Sequence, residues 1–402
     1  MTRRRKPDGG GTAPPAKAAA TFAPALNAGF QATTSRVQEM HGAIAGKTFD
    51  TLQHIPGLAV PTRIVQGVHD AITHGVYAAV RHGGGAALAL AGQAERVATD
   101  PARTPGRREQ AARSALNGVF GDALAESGSA MAIRMSLHAA GAPLAVDAAG
   151  LQALSPRVAV FIHGLACDES SWTAGNAAAG YGDQLSRDLG IDAVYLRYNT
   201  GLAIENNAEQ FAALLTQAVT AAPHVREWLL IGHSMGGLVA RRAHALADAA
   251  GSAWATRTPM IVSIGSPHQG APLERLGELA TSALNVSEVT KPLGRIANAR
   301  SRGIKDLRHG LKGTPTPGPA LRMVFGTLSD QAGSLAAKLF GDGLVMPGSA
   351  ADDGLAGDVE RVELAGLGHM ALLNHPRVYE VLHRWMGGAA DIKRAPNAAP
   401  RG

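Results

Sequence analysis

The chain has 402 residues, 46% hydrophobic and 17% charged, which supplies core material for one large or two moderate domains and excludes a chain disordered throughout. Its 38 Lys and Arg against 32 Asp and Glu leave a net charge of +6, aromatic residues are only 4%, and no long basic stripe carries interleaved aromatics, so the composition speaks against nucleic-acid binding. The single cysteine, Cys167, can form neither an intrachain disulfide nor a cysteine-based zinc site. In chain order, residues 1–28 are Gly, Pro and Ala with few charges and read as a disordered tail. The cluster Arg3-Arg4-Arg5-Lys6 opens that tail, but the apolar run that follows is short and broken by Pro24, a poor signal-peptide core. No stretch approaches a transmembrane span of about 20 uncharged apolar residues, so the expected location is cytoplasmic.

Residues 29–142 carry a helical period. In "IVQGVHDAITHGVYAAV", Ile64, Val65, Val68, Ile72, Val76 and Val80 fall at spacings that make one apolar face, and "REQAARSALNGVFGDAL" does the same with Ala112, Ala115, Leu116, Val119, Phe120 and Leu124. Three to five helices are expected, with the small apolar "GGGAALALAG" as a close contact or a turn. Over residues 143–388 the pattern changes to short apolar runs rich in β-branched residues: 157–164, 192–199, 227–234, 259–266, 321–327 and 359–366. Most are continuously apolar, as strands buried on both faces are, and helical segments separate several of them. This alternation predicts an α/β fold with a mostly parallel, doubly wound sheet. Residues 271–318 break the rhythm with helical pieces and the loop "GTPTPGPA", an insertion long enough to serve as a lid. Residues 389–402 read as a flexible tail.

The segment "LLIGHSMGGLVARRAHALAD" (229–248) puts a serine where an apolar run ends and a helical one begins. Gly232-His233-Ser234-Met235-Gly236 fits the G-x-S-x-G elbow, in which a strained strand-to-helix turn exposes the serine and the neighbouring glycines leave room for backbone. Gly-rich chains produce this pentapeptide by accident, so its placement between strand and helix carries the argument. A serine hydroxyl needs a base to become a nucleophile and two fixed donors for the oxyanion it creates. The backbone N–H groups of Leu165, after His163-Gly164 at an early strand end, and of Met235 are the candidate donors, with His163 itself shaping the loop.

The acid should follow the strand at 321–327: Asp342, in "FGDGLV", is preferred over Asp330, Asp352, Asp353 and Asp358. The base should follow the last strand: His369 is preferred over His375 and His383, which read as packing or capping residues. His268, in "GSPHQG", reads as a structural loop residue.

With these residues placed, residues 156–386 resemble bacterial α/β-hydrolase-fold lipases and esterases, especially the group of GPI inositol-deacylase-like proteins. The resemblance rests on "VFIHGL", "LRYNTGLAIENN", "LIGHSMGGLVAR", "GSPHQGAPLER", "GDGLV" and "GLGHMALLNHPRVYEVLHRW". It implies Ser234 as nucleophile, Asp342 as acid, His369 as base, and Leu165 and Met235 as the oxyanion hole, with cleavage of small-molecule or lipid esters through an acyl-enzyme. It assigns no chemistry to the helical region before about residue 150. Related secreted lipases often hold a calcium ion through an aspartate soon after the catalytic histidine; here Met370, Ala371, Leu372 and Leu373 follow, so no metal and no cofactor are expected. Two other readings stay open at this stage: acyl transfer on the same scaffold, and a lipid-binding protein docking on a membrane or granule. Peripheral membrane contact and the oligomeric state are left undecided.

Overall fold

The computed structural model describes residues 22–54, 106–173, 179–272, 301–311, 318–330 and 341–387, with a few single residues between these segments. All six strands expected from the apolar runs are present: β3 (Arg157–Ile162), β4 (Asp192–Arg197), β5 (Glu227–His233), β6 (Met260–Ile264), β7 (Ala320–Thr327) and β8 (Val359–Ala365). They form a parallel array in the order β4-β3-β5-β6-β7-β8. Two further strands, β1 (Ser136–Ala139) and β2 (Ala142–Leu144), extend the sheet beyond β4 as an antiparallel hairpin, with Ser136 opposite Arg197 and Ala139 opposite Ala142. The hairpin turns on Ala140 and Gly141, both with positive φ (48° and 77°), the sign of a tight two-residue turn. Pro143 sits in the outer strand, where a missing N–H costs no ladder bond inside the sheet. The sheet therefore begins at Ser136, before the boundary at 142/143 suggested by the change of period.

Alternate side chains of each central strand enter two separate cores. Val158, Val160 and Ile162 of β3 and Leu230 of β5 pack with one cluster; Ala159, Phe161, Leu229 and Ile231 pack with the other. The first face is covered by α2 (Arg107–Glu126), α4 (Ile204–Ala221) and α5 (Met235–Ala249), the second by α3 (Tyr181–Leu189) and α7 (Pro376–Gly387). Burial on both faces is why the strand sequences run apolar without alternation.

Helix α2 matches the helix expected from "REQAARSALNGVFGDAL", and Leu116, Phe120 and Leu124 lie in the same core as the sheet. Helix α1 (Phe22–Gln53) packs on it and starts inside the stretch that reads as a tail. Of the expected insertion, residues 301–311 are described and hold the short helix α6 (Arg302–Leu307). Most of the helical run at 64–80, the "GGGAALALAG" segment, the rest of the insertion and residues 389–402 lie outside the described residues.

Candidate active site

The residues singled out in the sequence follow the carboxyl ends of four strands: Leu165 after β3, Ser234 after β5, Asp342 after β7 and His369 after β8. Ser234 ends β5 at φ 54° and ψ −123°, a left-handed conformation that a side chain other than glycine's rarely adopts, and α5 starts at the next residue. Packing demands the glycines around it. A β-carbon at Gly236 would fall 2.1 Å from the Ile162 carbonyl oxygen, and one at Gly232 would fall 2.3 Å from the Gly237 nitrogen. The Ser234 N–H donates to the Ile264 carbonyl at 2.8 Å, which ties the elbow to β6.

Asp342 follows β7 and His369 follows β8. The His369 Nδ1–H donates to Asp342 Oδ2 at 2.8 Å, and the His369 backbone N–H donates to the Asp342 carbonyl at 2.9 Å. The other carboxylate oxygen, Oδ1, accepts from the N–H groups of Leu344 (2.9 Å) and Val345 (2.7 Å). Both groups are buried, so the carboxylate is held on three donors away from water. In the neutral ring a carboxylate partner places the proton on Nδ1 and the lone pair on Nε2, and Nε2 is buried with no hydrogen-bond partner.

Ser234 is only 3% exposed, where the elbow geometry predicts an exposed hydroxyl. The loop after β3 closes over it: a β-carbon at Gly164 would come 3.0 Å from Ser234 Cβ. The elbow sets the backbone as expected, and packing at the strand ends removes the serine from solvent.

That loop carries Leu165, whose N–H makes no backbone hydrogen bond among the described residues. Met235 is the first residue of α5, where helix N–H groups have no partner within the helix. His163 donates from Nδ1 to the Gly164 carbonyl at 3.0 Å, stacks on Tyr198 at 4.5 Å between ring centroids, and has its carbonyl held by the Tyr198 hydroxyl at 2.8 Å. Burial lowers its pKa from 6.5, so the ring is neutral.

The competing residues are engaged elsewhere. Asp352 accepts from Arg241 (3.2 Å) and Gln269 (3.2 Å); Asp353 pairs with Arg361 and Asp358 with Arg322. Asp330 carries no hydrogen bond to His369. The His375 carbonyl and N–H bind the Tyr181 hydroxyl, while His383 stacks edge-on against Tyr379. His268 accepts from Arg241 at 2.8 Å through Nδ1; burial, and then the arginine's charge, push its pKa well below 6.5. It is a buried loop anchor.

Two contributors escaped the sequence reading. His233, the variable residue of the pentapeptide, donates from Nε2 to the His369 carbonyl at 3.1 Å and lies 4.7 Å from that ring. Burial, and next His369, hold its pKa well below 6.5. Tyr181 donates to the Leu372 carbonyl at 2.9 Å and accepts from the His375 N–H at 2.7 Å, clamping the turn that bears His369. Neither has a signal in sequence spacing, because both act across 136 residues or more.

A mostly parallel eight-stranded sheet with helices on both faces and the elbow after its central strand β5 is the α/β-hydrolase fold. Residues 157–293, about a third of the chain, match the model of the PGAP1-like alpha/beta domain, in line with the resemblance read from the motifs. The matched stretch holds Leu165, Ser234 and Met235 and ends before Asp342 and His369. No curated protein sequence matches the chain. Similar solved structures include the Bacillus licheniformis lipase BlEst2 in mature form, at 19% identity and TM-score 0.42, covering 58% of this chain and 93% of that one. They also include the alpha/beta hydrolase enzyme MGS-MChE2 from a metagenome of lagoon sediments, at 19% identity and TM-score 0.38, covering 57% and 90%. A third is a carboxylesterase structure from the thaumarchaeon Nitrososphaera gargenis, at 15% identity and TM-score 0.38, covering 63% and 93%. Among the described residues, no helix is long and apolar enough to cross a membrane and no group of three or more His, Cys, Asp or Glu is placed to hold a metal ion.

Proposed function

We propose that the protein is a serine hydrolase that cleaves carboxylic esters, acyl lipids included, through an acyl-enzyme. The observation that carries this reading is the His369 Nδ1 to Asp342 Oδ2 hydrogen bond at 2.8 Å, which selects the neutral-ring tautomer with its lone pair on an Nε2 that has no other partner. In this reading Nε2 takes the Ser234 proton as Oγ attacks the ester carbonyl carbon. The carbonyl oxygen becomes an oxyanion held by the N–H groups of Leu165 and Met235, each such donor worth about 10²–10³ in rate. The imidazolium, stabilised by Asp342, returns the proton to the leaving alcohol. Water then attacks the acyl-enzyme as it gives a proton to Nε2, and the imidazolium returns that proton to Ser234 Oγ as the Oγ–carbon bond breaks and the acid leaves.

The test is covalent labelling by a fluorophosphonate probe together with turnover of a p-nitrophenyl ester series of increasing acyl length, below and above the micelle threshold. Labelling at Ser234 that disappears in Ser234→Ala, with turnover lost in the same variant, is the expected result. Undiminished labelling of Ser234→Ala removes the assignment.

A further inference from the structure

Helix α2 lies outside the residues matched by the family model and would read as an appendage. Its contacts place it elsewhere. Besides its apolar stripe it buries a second one, Ser114, Asn117, Gly118 and Gly121, at helical spacings of three and four. This small, polar stripe meets the loop after β3. The Ser114 hydroxyl lies 3.1 Å from Asp168 Oδ2 and 3.0 Å from the Gln110 carbonyl, with one proton to give to either. Gly118 touches Ala166 so closely that a β-carbon there would fall 2.7 Å from Ala166 Cβ and 2.8 Å from its Cα. Ala166 has φ 60°, a conformation that surrounding packing must hold in place, and its N–H is fixed by the Thr200 hydroxyl at 3.0 Å. Gly121 gives its carbonyl to the Asn199 side chain at 2.8 Å, and the Ser301 hydroxyl donates to the Gly118 carbonyl at 2.6 Å. Asn117 fixes the helix in turn, donating to the Met131 carbonyl and accepting from the Ile133 N–H, each at 2.9 Å.

We propose that α2 is a positioning helix for the oxyanion loop: Ser114 and Gly118, by clamping Asp168 and Ala166, fix the Leu165 N–H, which immediately precedes Ala166 and follows the Gly164 that packs on Ser234. The proposal rests on the esterase reading, in which that N–H stabilises the oxyanion. A donor set in place before the reaction contributes to the transition state and little to substrate binding, so loosening it lowers kcat and spares KM.

The experiment compares the full-length protein with Ser114→Ala, Gly118→Ala and the exposed control Arg108→Ala. It reads kcat and KM on p-nitrophenyl butyrate, melting temperature, and hydrogen exchange of the peptide spanning residues 160–172. The expected results are a fall in kcat of about tenfold for Ser114→Ala and about 100-fold for Gly118→Ala, KM within about twofold, and faster exchange in the loop, bounded by what one oxyanion donor is worth. Asp168→Asn combined with Ser114→Ala should then cost less than the product of the two single effects. Unchanged kcat in Ser114→Ala, whether or not melting drops, overturns the proposal, and this variant decides if Gly118→Ala does not fold. If the wild-type protein neither turns over ester nor labels at Ser234, the esterase reading fails by itself. The positioning claim is then decided by exchange alone, and an unchanged loop in Ser114→Ala overturns it.

Discussion

Asp342 is set apart from the competing aspartates by its donors. Its two oxygens accept three hydrogen bonds, from Leu344, Val345 and His369, while Asp352, Asp353 and Asp358 are held by arginines. Asn at position 342 would keep the shape and present an amide that reverses the His369 tautomer. Asp342→Asn should therefore lower turnover by several orders of magnitude, about 10⁴ for the same change in serine-protease triads, with little change in melting temperature. Steady-state kinetics on a soluble ester check it, and Asp330→Asn serves as the control that should retain activity. At this scale the sequence was informative because the order of elements restricts each role to one loop, so few residues compete for it. It was silent on His233 and Tyr181. Their partners, the carbonyls of His369 and Leu372, are main-chain groups, and backbone acceptors leave no trace in residue identity.

Helices and strands differ in how far their sequences reveal their place. A strand buried on both faces reads as an unbroken apolar run, so β3 to β8 were legible within a residue or two. The hairpin strands β1 and β2 are four and three residues long, too short for a period, and were missed. An amphipathic helix announces that it has a buried side but not what it is buried against, which is why α2 read as part of a separate helical region. Its Leu116, Phe120 and Leu124 are at most 2% exposed and share the core of the sheet. Phe120→Ala should thus destabilise the whole domain by about 3–5 kcal/mol, seen as one cooperative shift in urea denaturation by tryptophan fluorescence. A chain shortened to begin at residue 145 loses α2, β1 and β2; it should bind a hydrophobic dye and melt without a sharp transition. A cooperative melt in the shortened chain would show that the helix is dispensable.

Titration of buried groups sets how the whole molecule answers to pH. His138, His163, His233, His244 and His268 all have pKa values lowered by burial from 6.5. Below 6.5 the unfolded chain takes up protons that the folded one refuses, so stability falls as pH drops through that value and is unaffected by these groups above it. At the other end, burial pushes Cys167 from 9.0 up to about 12 and raises Tyr181, Tyr195 and Tyr198 above 10.0. There the unfolded chain releases protons first, and stability falls as pH rises past about 9. Melting temperature should form a plateau between about 6.5 and 9, and His268→Gln, which keeps an acceptor for Arg241, should make the acid limb shallower. A melting temperature that keeps rising toward pH 5 would contradict this. The two outer strands carry a different consequence. β2 presents a proline on one border, and β8 presents Glu360, Arg361 and Glu363 on the other. Among the described residues neither margin offers a foreign chain a clean, uncharged row of amides to zip onto, so the eight strands seen here resist growing into a fibre.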